Sequence, residues 1–119
     1  MCHVLIIEDE PFIAMSIQSM LEAEGATSFD FAVTQQEAVA VALKRPPEVI
    51  TSDVKLVEGT GPLAVAEIHE RLGFLPVIFI SATPDECRPC SPPGIVLAKP
   101  VRESELRRAF RQIGMNSSN

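Results

Sequence analysis

Val49-Ile50-Thr51-Ser52-Asp53 is an apolar, β-branched run that ends abruptly in a carboxylate. β-branched residues suit a buried strand. A loop with a Gly59-Thr60-Gly61-Pro62 segment follows. In an open α/β sheet, ligands bind outside the carboxyl ends of the strands. Asp53 is therefore placed where a sheet meets its ligand, and the rest of the chain decides whether other reactive groups arrive at the same edge.

Working outward, the segments alternate. Residues 3–8 (His-Val-Leu-Ile-Ile-Glu) form an unbroken apolar run, the mark of a strand buried on both faces. Three acids follow, Glu8, Asp9 and Glu10, and Pro11 then opens a helix expected to reach about Glu24 before Gly25. Phe12, Ile13, Ile17, Met20 and Leu21 recur on it at helical spacing, and Met15 and Met20 are expected in the core. Ala26 to Ala32 is a weaker strand. Thr34 and Glu37 make a capping box for a second helix over 35–44, which Pro46-Pro47 ends. A third helix starts near Pro62 and runs to Gly73, and Val77 to Ser81 is a fourth strand. Pro84, Pro89, Pro92 and Pro93 exclude a long regular helix over 82–94. Ile95 to Ala98 is a fifth strand, closed by Lys99-Pro100. A last helix is expected from about Arg102 to Ile113, its Arg107, Arg108 and Arg111 on the wet face, with a flexible polar tail over 114–119.

Five strands alternating with helices mean an α/β fold with a doubly wound parallel sheet, its fourth helix short, irregular or absent. The 119 residues suffice for one domain and one packed molecule, and 46% apolar residues support a globule. No apolar run has membrane-spanning length and no signal peptide is visible, so no membrane association is expected and the cytoplasm is. The net charge of −6 and the absence of Trp and Tyr argue against direct nucleic-acid binding. Cys2, Cys87 and Cys90 read as reduced thiols. Cys87-Arg88-Pro89-Cys90 has no second Cys/His pair nearby to complete a zinc site, and His3 and His69 stand isolated in sequence.

In a parallel sheet, all carboxyl ends of strands share one edge. Glu8 and Asp9 end the first strand, Asp53 the third, Ser81 the fourth and Lys99 the fifth. Three carboxylates, a hydroxyl and an ammonium thus meet at one rim. Carboxylates serve as nucleophiles in aspartyl-phosphate chemistry. Grouped acids repel one another, and Mg²⁺, which takes carboxylate oxygens while keeping waters and phosphate oxygens, relieves that repulsion. Phosphoryl transfer to a carboxylate is the indicated reaction. Glu10 stays undecided, since acids before a helix also suit its dipole.

The motifs Val4-Leu-Ile-Ile-Glu-Asp-Glu10, Thr51-Ser-Asp53, Pro76-Val-Ile-Phe-Ile-Ser-Ala82 and Ala98-Lys-Pro100, in this order and on these strand ends, resemble the receiver domain of two-component response regulators across essentially the whole chain, 1–119. The resemblance implies a flavodoxin-like (CheY-like) sheet of order 2-1-3-4-5. It implies Asp53 as phosphoacceptor, Asp9 as direct Mg²⁺ ligand, Glu8 as the acid reaching the metal through water, and the backbone carbonyl of Lys55 as a further ligand. It also implies Ser81 as the hydroxyl that turns toward the phosphoryl group, Lys99 as its cationic partner, and a cis bond before Pro100. The phosphodonor is then a histidine kinase or histidine phosphotransfer protein, the output a protein target, and the only catalysis the domain's own phosphorylation and dephosphorylation. Two departures bear on output: Val96 stands where such receivers carry Tyr or Phe, and the 82–94 segment is proline-broken. They leave open a degenerate, phosphorylation-independent binding module, and they leave oligomeric state undecided. The Lys55 side chain is expected in solvent. A metal-dependent phosphatase is disfavoured, because Asp9 is followed by Glu10-Pro11 rather than the Asp-x-Asp pattern.

Overall fold

The computed structural model of the chain describes residues 2–82 and 94–117, the last four as backbone only. Nine elements follow in order: β1 (His3–Ile7), α1 (Pro11–Glu22), β2 (Ser28–Ala32), α2 (Gln35–Lys44), β3 (Val49–Asp53), α3 (Gly61–Leu72), β4 (Val77–Ser81), β5 (Ile95–Ala98) and α4 (Glu103–Ser117). The strands pair in the order β2-β1-β3-β4-β5, every neighbouring pair parallel. This is the doubly wound, flavodoxin-like sheet expected. The expectations that fall on 83–93, the missing or irregular helix and the Cys87 and Cys90 thiols, lie outside the described residues.

The three central strands are buried at every position, because helices cover both faces of the sheet. Alternation along each strand then feeds two separate cores. Val4, Ile6, Val49, Ile78 and Ile80 pack against α1 and α4. Leu5, Ile7, Ile50, Val77 and Phe79 pack against α2 and α3. Thr34 caps α2 by accepting the Glu37 N–H at 3.1 Å, while Glu37 Oε1 reaches back to the Val33 N–H at 2.7 Å. Thr60 caps α3 in the same way through the Leu63 N–H.

Several expectations are corrected. Helix α1 ends at Glu22, two residues early, and Gly25 with φ 101° turns the chain out of it. Met15 is 62% exposed rather than in the core, whereas Met20 packs against the α1–α4 core. Met15 falls off the stripe set by the buried Ala14, Ile17 and Leu21. Helix α4 continues through Ser117 into the expected tail, since Gly114 takes the helical conformation and no proline follows. Arg107 and Arg111 do not simply face solvent. Both guanidinium groups grip Glu24, which follows α1, and Arg107 also reaches Glu103 at 3.1 Å. The Arg107 hydrogen bond, joined by Arg111, holds the Glu24 carboxyl below its ordinary range. His3, isolated in sequence, is satisfied in space: Nδ1 lies 2.9 Å from Ser28 Oγ and Nε2 lies 2.9 Å from Asp30 Oδ2, tying β1 to β2.

Candidate functional site

The carboxyl edge of the sheet brings together four of the expected groups. On β1 the alternation that turns Val4 and Ile6 toward α1 carries on to Glu8. On β3 it carries Val49 and Thr51 on to Asp53, and on β5 it carries Ile95 and Leu97 on to Lys99. Lys99 Nζ donates to Asp53 Oδ2 at 2.9 Å and lies 3.7 Å from Glu8 Oε1. The other Asp53 oxygen, Oδ1, accepts the Val54 N–H at 2.8 Å. Asp9, half-buried, completes the group: ligand atoms of Glu8, Asp9 and Asp53 all lie within 4.8 Å of one another. The Lys99–Pro100 bond is cis, as expected.

The electrostatics follow from burial. Glu8 is 3% exposed. Burial pushes its carboxyl up to about 7; the Glu10 N–H opposes this, the Asp53 charge adds to it, and Lys99 counters it in part. Burial alone would pull the Lys99 ammonium down, but its hydrogen bond to Asp53 and the surrounding negative charge raise it above its ordinary value. Glu8 Oε2 accepts the Glu10 N–H, while Glu8 Oε1 is buried with no hydrogen-bond partner. A buried carboxylate oxygen left without a donor is costly. Three oxygen donors converging on that oxygen's surroundings fit a hard divalent cation such as Mg²⁺.

The remaining expected residues sit around this group. Ser81 is buried, and its carbonyl accepts the Lys99 N–H at 2.9 Å. Lys55 is exposed, in agreement with a solvent-facing side chain, and its backbone bridges to Thr60. Val96 packs against the α2–α3 core. Glu10 is exposed.

Two residues of this region escaped the sequence reading. Gly61 opens α3 directly against the end of β3: a Cβ there would meet the Asp53 carbonyl oxygen at 1.9 Å and Ser52 Oγ at 2.2 Å. The paired glycines at 59 and 61 were the available signal. Gly61→Ala is expected to destabilise the protein by about 2 kcal/mol, as overpacking against backbone does, and to displace Asp53; chemical denaturation and Mg²⁺ titration of the variant check both. The second is Phe12. Helical spacing counted it with the apolar stripe, yet it is 86% exposed. It borders an apolar groove of about 470 Å³ with Ile13, Ile80, Pro100 and Val101, with Lys99 at its edge.

The fold and site together are those of a doubly wound α/β domain with clustered acids and a lysine at the carboxyl edge of its sheet. The chain belongs to the response regulator receiver domain family, whose sequence profile matches residues 4–111. It is 33% identical over 115 residues to the phyllosphere-induced regulator PhyR of Methylorubrum extorquens, covering 92% of this chain and 42% of that protein. The solution structure of the PhyR receiver domain of Erythrobacter litoralis superposes with a TM-score of 0.85 at 30% identity, over 96% of this chain and 90% of that one. A variant of the anti-anti-sigma factor PhyR from Bartonella quintana superposes with a TM-score of 0.86 at 32% identity, over 99% of this chain and 50% of that one. The chain thus spans less than half of the PhyR of M. extorquens and about half of the B. quintana protein.

Proposed function

We propose that the protein accepts a phosphoryl group from a histidine kinase or histidine phosphotransfer protein onto Asp53, in a Mg²⁺-dependent reaction, and then signals through a protein partner. The observation that carries this reading is the Asp53 carboxylate, held between the Lys99 ammonium and the Val54 N–H beside a buried Glu8 oxygen without a donor. An Asp53 oxygen attacks phosphorus; the O–P bond forms as the N–P bond to the donor imidazole breaks, and the imidazole nitrogen keeps the electron pair. Lys99 releases its hold on Asp53 Oδ2 to pair with a phosphoryl oxygen as a point charge. Ser81 provides a second contact to that group. Asp9, Asp53 and the Lys55 carbonyl, with Glu8 close by, would hold Mg²⁺, which would supply neutralisation of the carboxylates and of the phosphoryl charge. The protein's part is placement of charge rather than acid–base catalysis.

The donor's docking place is the rim of the site. Phe12, 86% exposed, lines the groove over Pro100 and Val101, and exposed aromatics beside a reactive group serve as protein anchors. Phe12→Ala is expected to slow phosphotransfer from a protein donor about tenfold while leaving transfer from acetyl phosphate unchanged. Stopped-flow comparison of the two donors reads the difference.

No helix among the described residues is long and apolar enough to cross a membrane. The proposed domain is cytoplasmic and catalyses only its own phosphorylation and dephosphorylation. The relative described as an anti-anti-sigma factor supports a protein as the target. The second reading, a binding module independent of phosphorylation, rests on Val96 and on the proline-broken 82–94 sequence. Mass spectrometry after treatment with acetyl phosphate and Mg²⁺ separates the two. A phosphoryl adduct mapped to Asp53 supports the first, and an unmodified chain would leave only the second.

A further inference from the structure

The loop leaving Asp53 carries Lys55, and much of it beyond Leu56 is exposed. Lys55, Val57, Glu58 and Gly59 are all exposed, Val57 at 75%. Val54 and Leu56 pack against the α2–α3 core, and the exposed stretch after them, with few apolar contacts, takes its shape from hydrogen bonds. Within the loop, Lys55 bridges to Thr60 and the Gly61 N–H reaches the Val54 carbonyl at 2.9 Å. The Leu56 N–H also reaches the Gly59 carbonyl at 3.4 Å, Thr34 bridges to Glu58, and Thr60 Oγ1 accepts the Leu63 N–H. Two further ties run to Gln35 at the start of α2. The Gln35 N–H donates to the Glu58 carbonyl at 3.0 Å, and the Thr60 N–H donates to Gln35 Oε1 at 3.0 Å. Between these two bonds Gly59, with φ 82°, lies flat on the Gln35 side chain: a Cβ at 59 would come within 2.5 Å of Gln35 Cβ. Gln35 therefore grips both the carbonyl before Gly59 and the amide after it.

We propose that Gln35 is a positioning residue for the acid cluster: by clamping residues 58–60 it fixes the Lys55 carbonyl at the rim where a divalent cation binds. This rests on the reading of Lys55 as a metal ligand. A side chain that orients a ligand from behind shapes metal affinity without touching the metal, and Gln35 does so across α2 rather than from within the loop. The part played by the side chain is that of an acceptor, so its removal and its conservative replacement have different consequences.

Mg²⁺ titration, followed by thermal shift and by amide exchange of residues 56–60, tests this on the wild type, Gln35→Met and Gln35→Glu. Gln35→Met keeps the bulk over Gly59 and loses the acceptor. It is expected to raise the Mg²⁺ Kd about fivefold, to speed exchange of the Thr60 amide, and to leave the melting temperature without Mg²⁺ unchanged. Gln35→Glu keeps an acceptor for Thr60 and is expected to restore the wild-type Kd to within about twofold. If Gln35→Met fails to fold, Gln35→Ala carries the same comparison. Equal Mg²⁺ affinity in wild type and Gln35→Met would overturn the proposal, as would a Gln35→Glu protein no better than Gln35→Met. A wild type that binds no Mg²⁺ fails differently: it removes the metal reading itself, and the clamp with it.

Discussion

Asp53→Asn protein treated with acetyl phosphate and Mg²⁺ is expected to keep its unmodified mass, while the wild type is expected to gain a phosphoryl group. The loss is complete rather than partial, because an amide oxygen is no nucleophile for phosphorus at neutral pH and no other carboxylate among the described residues has the same surroundings. Asp9 is only half-buried, and Glu8 carries a carboxyl raised to about 7. The fold itself survives the substitution. An Asn oxygen still accepts the Val54 N–H that Asp53 Oδ1 holds at 2.8 Å, and Lys99 still has Glu8 at 3.7 Å. Removing the charge at 53 also removes one cause of the raised Glu8 carboxyl. Circular dichroism should thus report a folded protein of near wild-type melting temperature, but one whose stabilisation by Mg²⁺ is largely gone. A variant still modified on another residue would displace the nucleophile from Asp53.

The second large effect is a dependence of stability on pH that Mg²⁺ abolishes. Burial first, and then Asp53, lift the Glu8 carboxyl from 4.5 to about 7 in the folded protein. An acid raised in this way binds its proton more tightly when folded, so its contribution is full below the unfolded value near 4.5 and is lost as pH rises through about 7. The size of the loss is about 3 kcal/mol. Wild type without metal is expected to lose this much between about pH 4.5 and pH 8 relative to Glu8→Gln, which has no proton to lose. Lys99 adds nothing in this window, because its raised value only matters in alkaline solution. Mg²⁺ at pH 8 should restore the difference by taking over the role of the proton at the buried carboxylate. Urea unfolding of both proteins across that range, with and without Mg²⁺, measures it. Parallel wild-type and Glu8→Gln curves would show that Glu8 is solvated in solution.

Much of the site was legible because strand ends are legible. β3, β4 and β5 fall where β-branched runs stop at Asp53, Ser81 and Ala98, and parallel pairing puts those stops on one edge. Helix boundaries were less legible. Helix α1 stops at Glu22 instead of Glu24, and α4 runs through Gly114, since a glycine ends a helix only when the chain has reason to turn there. Exposure was less legible still. Phe12 and Met15 are apolar residues on an apolar-striped helix, and which of them the core admits depends on the angle at which α1 lies on the sheet.

The alternation of strand and helix, the parallel sheet, and the acids and lysine at its edge could all be read from residue order alone. Local pattern is enough for these, because strand periodicity and chain reversal fix which end of each strand carries which residue. Only the tertiary structure decided that Lys99 reaches across 46 residues to Asp53. It alone left one Glu8 oxygen without a donor, set Gly61 against the Asp53 carbonyl, and made Gln35 the clamp on the loop beyond. Those facts depend on ångström distances between segments far apart in the chain, and hydrogen bonding and burial act on distance in space, which residue spacing along the sequence does not encode.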